Sequence, residues 1–134
     1  MIDRIKTIFV VDDNQTILQQ TKNILEDIYR VRTFSAINTV EKLVYSSSDV
    51  LPPDLLILDI EMPDVNGIDA IPMFKKLPGW QNVPIIMLTS WDQDIMFQHA
   101  FIAGALDVIQ KPIHPSVMLR RIQNYFWFYD QLKV

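Results

Sequence analysis

The sequence predicts an α/β fold, a doubly wound parallel sheet in which five strands alternate with five helices in the order (βα)5. Two observations predict it. Short apolar, β-rich runs recur along the chain, each closed by proline, glycine or acidic residues, and stretches with apolar residues at helical spacing separate them. Such alternation needs right-handed crossovers that return over the sheet, which makes the strands parallel and puts helices on both faces.

Residues 7–11 are a continuous β-rich run that stops at Asp12-Asp13, the pattern of a strand buried on both faces. Ile17, Leu18, Thr21, Ile24, Leu25 and Ile28 then lay one stripe on a core, with Asn14 placed to cap the helix. Val31 and Phe34 mark a short second strand, and residues 55–60 and 85–88 the third and fourth. Pro72 falls in the expected third helix, where its missing N–H predicts a late start or a kink. Asp92 is placed to cap a fourth helix that carries Ile95, Met96, Ala100 and Phe101 inward and ends at Gly104. Val108-Ile109 supplies the fifth strand and residues 116–132 the last helix.

With 134 residues and no repeat, the chain is expected to form one domain over 1–134. Although 49% of it is apolar, no run approaches the length of a membrane helix, and the amino terminus lacks the features of a secretory signal. A cytoplasmic location is the default expectation, with no membrane partner. The absence of cysteine excludes disulfides and thiol chemistry, and the net charge of −4 disfavours direct nucleic-acid binding.

In sheets of this kind ligands bind outside the carboxyl ends of the strands. The strand assignment puts Asp12 and Asp13 after the first strand, Asp59 at the end of the third, Thr89 after the fourth and Lys111 after the fifth. Asp12-Asp13 alone is explained by helix capping, but three clustered carboxylates repel one another unless a hard divalent cation takes their oxygens. Magnesium fits best, and manganese could substitute. A lysine ammonium and a threonine hydroxyl opposite them can hold phosphoryl oxygens, leaving a carboxylate as nucleophile.

Val11-Asp12-Asp13-Asn14, then Leu58 to Gly67 with Asp59, Glu61, Met62 and Pro63, then Leu88-Thr89-Ser90, then Lys111-Pro112 together resemble the receiver domain of response regulators in two-component signalling. The resemblance spans nearly the whole chain and implies a flavodoxin-like strand order 2-1-3-4-5. It makes Asp59 the phosphoacceptor, Asp12, Asp13, Asp59 and the Glu61 backbone carbonyl the metal ligands, and Thr89 and Lys111 the groups that bind phosphoryl oxygens. It also implies a cis bond at Lys111-Pro112 and phosphotransfer from the phosphohistidine of a sensor histidine kinase or a histidine phosphotransfer protein, as in a phosphorelay. The chain would then be a signalling switch acting on an output domain or effector protein rather than an enzyme.

Three positions depart from the commonest pattern. Val108 stands where many relatives carry an aromatic switch residue, so switching is expected to take another route. Glu61 and Trp91 flank the approach of water to the acyl phosphate, where an acid and a large ring are expected to slow hydrolysis. His99 and His114 have no ligand partner at suitable spacing and are expected at the surface. Residues 125–129 are five consecutive aromatics, which cannot all face one core, so the last helix is expected to form a homodimer face or a connector to an output module.

Competing functions are weaker. A haloacid-dehalogenase-like phosphatase would place aspartate at position 61, and a flavin protein would not place two acids after the first strand. A phosphorylation-independent scaffold would have no need of Asp59, Asp13, Thr89 and Lys111 together.

Overall fold

The structure, a computed structural model, describes residues 4–132, so the domain limits expected at residues 1 and 134 lie outside the described residues. Five strands, β1 (Thr7–Val11), β2 (Arg30–Phe34), β3 (Leu55–Asp59), β4 (Ile85–Thr89) and β5 (Asp107–Gln110), alternate with helices α1 (Gln15–Leu25), α2 (Ile37–Ser46), α3 (Gly67–Lys75), α4 (Asp94–Ala103) and α5 (Pro115–Leu132). All strand pairings are parallel, and the sheet order is β2-β1-β3-β4-β5.

The period-two geometry of the strands divides the core into two layers. Ile8, Val10, Leu55, Ile57, Ile86 and Leu88 pack on Leu18 and Leu25 of α1 and on Met118, Ile122 and Phe126 of α5. Their neighbours Phe9, Val11, Leu56, Leu58, Ile85 and Met87 point the other way, onto Val40 of α2, Phe74 of α3 and Ala100 of α4. The central strands β1 and β3 are therefore covered on both faces, which explains their unbroken apolar sequences. Both end in acids that emerge side by side at one edge, since Val11 pairs with Leu58.

Several local expectations need correction. Asp92 does not cap α4: Gln93 holds the cap position without a side-chain hydrogen bond, and α4 begins at Asp94. Ile95 and Phe101 point outward, 54% and 48% exposed, while Met96, Phe97, Ala100 and Ala103 face the core. Apolar residues surround α4, so their spacing does not choose a face. Ile28 lies beyond α1 and is exposed. α3 shows no late start: it begins at Gly67 and keeps Pro72 in its second turn, on the exposed side. Asn14 does cap α1, accepting from the Thr16 and Ile17 amides at 2.9 and 3.2 Å.

Candidate functional site

The carboxyl ends of β1, β3, β4 and β5 bring Asp12, Asp13, Asp59, Thr89 and Lys111 together, as their sequence positions predict. Asp12 is wholly buried and Asp59 is 1% exposed, whereas Asp13 faces solvent. One oxygen from each of the three carboxylates lies within 4.8 Å of the other two. Lys111 Nζ reaches across at 3.1 Å from Asp59 Oδ1 and 3.2 Å from Asp12 Oδ2. The Lys111-Pro112 bond that carries this lysine to the edge is cis.

Asp59 is held in one orientation, because Oδ1 accepts from both Lys111 and the Glu61 amide at 3.1 Å. Burial pushes its carboxyl up to about 7, with Glu61 and the Asp12 charge adding to the rise and Lys111 opposing it. Asp12 Oδ1 accepts from the Asn14 amide at 2.9 Å, while Oδ2 is buried and no donor is aligned with it despite its nearness to Lys111. An acid-rich pocket with a buried, unsatisfied carboxylate oxygen suits a hard divalent cation that prefers oxygen ligands.

Thr89 is buried at the end of β4. Its hydroxyl donates to Glu61 Oε1 at 2.6 Å and accepts from the Trp91 amide at 3.0 Å. The same Glu61 oxygen accepts from the Ser90 amide at 3.0 Å and the Ser90 hydroxyl at 3.2 Å, and these bonds hold the Glu61 carboxyl below its ordinary value against the cost of burial. Glu61 is thus turned inward onto the loop after β4, an arrangement that its position two residues after Asp59 does not reveal. Trp91 and Glu61 both line the open cleft beside Asp13 and Asn66.

Gly67, at the end of the stretch that resembles the receiver pattern, begins α3 directly against the end of β3. Its amide donates to the Ile60 carbonyl at 2.8 Å, and a Cβ there would sit 2.2 Å from the Asp59 carbonyl oxygen. Glycine therefore permits the close approach that positions the Asp59 loop. Gln110 also escaped notice; its side-chain amide donates to the Trp91 carbonyl at 3.3 Å and ties the loop after β4 to β5. Val108 is buried in the core layer of α4, and His99 and His114 are exposed as expected.

The model of the response regulator receiver domain matches residues 8–123, a span that contains β2 to β5, all of β1 but Thr7, and the whole acidic edge. This chain belongs to that family. Receivers are signalling modules of two-component systems, phosphorylated on aspartate, that work with histidine kinases and output domains. This receiver is 33% identical over 137 residues to the sensory transduction protein BceR of Halalkalibacterium halodurans, a match covering 94% of the chain but 55% of BceR. It is 31% identical over 118 residues to an uncharacterised 14.6 kDa protein of Leptolyngbya boryana, with 88% of each covered. The crystal structure of a CheY-like response regulator receiver domain protein from Methanospirillum hungatei superposes with a TM-score of 0.81 at 26% identity, covering 96% of this chain and 98% of that one. The receiver thus spans about half the length of BceR. Among its described residues, no helix is long and apolar enough to cross a membrane.

Proposed function

We propose that this receiver accepts a phosphoryl group on Asp59 from a phosphohistidine and transmits the change through the loop after β4. The observation that carries the reading is the buried carboxylate of Asp59, clustered with Asp12 and Asp13 and held by Lys111. Asp12, Asp13, Asp59 and the Glu61 carbonyl are the groups that would hold magnesium, or manganese in its place. Bound there, the ion would neutralise charge on the transferring phosphoryl oxygens. An Asp59 carboxylate oxygen forms the bond to phosphorus as the phosphorus–nitrogen bond of phosphohistidine breaks, and the imidazole leaves with the electron pair. Lys111 and the Thr89 hydroxyl then hold oxygens of the new aspartyl phosphate.

The donor is a sensor histidine kinase or a histidine phosphotransfer protein. Switching with Val108 in place of a ring runs from Thr89 through Trp91 to Gln110, a hydrogen-bonded path that is formed in the structure. The whole chain acts as one domain. Its last helix exposes Trp127 and Phe128 while Phe126 is buried, which supports a role for α5 as a dimer face or as the connector to an output domain or effector. Intact-protein mass after incubation with a small phosphodonor tests the reading. A gain of one phosphoryl group that needs magnesium and vanishes in Asp59→Asn is expected; no gain in the native chain would favour the phosphorylation-independent scaffold.

A further inference from the structure

The Glu61 side chain holds the Thr89 hydroxyl, a donor that the reading above assigns to the phosphoryl group. Its Oε1 takes the Thr89 hydroxyl proton and both Ser90 donors, so one anionic oxygen saturates the end of β4. Its other oxygen, Oε2, is buried with no donor aligned to it, and the Glu61 carboxyl helps push that of Asp59 up. A carboxylate with one oxygen accepting three hydrogen bonds and the other buried without a donor is well held, yet gains hydration if it swings into the adjoining cleft, which Glu61 already lines.

We infer that the Glu61 carboxylate is an internal stand-in for the phosphoryl group, occupying the Thr89 and Ser90 donors until phosphorylation of Asp59 displaces it into the cleft. This rests on the reading of Asp59 as phosphoacceptor. An incoming phosphoryl oxygen needs the Thr89 hydroxyl, which has one proton and already gives it to Glu61. The two anions therefore compete, by charge and for a single donor. Glu61 is a positioning residue: before phosphorylation it keeps the loop from Thr89 to Trp91 in place, and its departure hands that loop to the phosphoryl group. Trp91 lies in this loop with its amide on the Thr89 oxygen, so the exchange is felt at the path toward Gln110.

The test compares wild type with Glu61→Ala and Glu61→Gln. Two quantities are measured: affinity for beryllofluoride in the presence of magnesium, followed by the 15N NMR shift of the Ser90 amide, and the rate of phosphorylation by a small acyl phosphate, followed by intact mass. Loss of a charge-assisted contact corresponds to about a tenfold effect. Glu61→Ala should bind beryllofluoride and accept phosphate about tenfold better than wild type. Glu61→Gln keeps an acceptor oxygen but no charge, so it should fall between them and retain the wild-type Ser90 shift before the probe is added. Unchanged or weaker binding in both variants, with wild type taking up phosphate on Asp59, would overturn the stand-in role alone. A wild-type chain that takes neither probe would overturn the phosphoacceptor reading with it.

Discussion

The two edges of the sheet use the same kinds of charged residue in opposite ways. At the amino-terminal edge acids and bases come in pairs: Arg4 binds Asp54, and Lys6 meets Asp130 at 2.7 Å while lying over the Phe126 ring. These pairs reach solvent and are satisfied. At the carboxyl edge Asp12, Asp13, Asp59 and Glu61 gather near one cation, Lys111, whose ion pairs reach two of them, Asp12 and Asp59. Two of those acids, Asp12 and Asp59, are almost fully buried. Paired surface charges contribute little and ask for nothing further, whereas an excess of buried negative charge is tolerated because a ligand completes it. The difference separates the edge of paired charges from the edge to which we assign the phosphoacceptor.

The largest break in this contrast should come from Asp13→Asn. Asp13 is exposed and supports no packing, so the fold is retained while magnesium affinity, measured by calorimetry, falls by about tenfold or more. Asp54→Asn at the opposite edge should leave that affinity unchanged.

Asp59→Asn should raise stability in EDTA at pH 8, by roughly 2–4 kcal/mol in urea titrations. The sign follows from a native carboxyl raised from 3.8 to about 7. Its favourable contribution is present below the unfolded value and is lost as pH rises toward 7, where the folded state must carry a buried charge. The gain from Asp59→Asn should therefore shrink at pH 5, and a gain that grows on acidification would contradict the assignment.

Trp91→Ala should shorten the lifetime of the aspartyl phosphate several-fold by opening the cleft beside Asp13, read as loss of the phosphorylated mass with time. The smallest effect belongs to the amino-terminal edge. Arg4→Ala should change stability by less than about 1 kcal/mol, and by less still in 1 M salt, because the Arg4 side chain is 66% exposed.

The strands and the acidic edge were legible because they depend on local signals. Buried strands read as apolar runs, Asp59 and Thr89 each end one of them, and Asp12, Asp13 and Lys111 lie within two residues after one. The face of α4 was less legible, since Ile95 and Phe101 compete with Met96 and Phe97 on a helix that is apolar all round. Gly67 gave no local sign of its role, because its constraint comes from the backbone of β3 rather than from its own turn. The inward rotation of Glu61 depends on Thr89 and Ser90, 28 and 29 residues away, a contact that no periodicity records.

The central claim is that the unbalanced edge exists to phosphorylate one carboxylate, Asp59. The most direct measurement is peptide mass spectrometry after phosphorylation in magnesium and borohydride reduction, which converts an aspartyl phosphate to homoserine at the modified position. Homoserine at 59, with Asp12 and Asp13 intact, is the predicted result; reduction at either of those positions, or at none after a full phosphoryl gain, would contradict it.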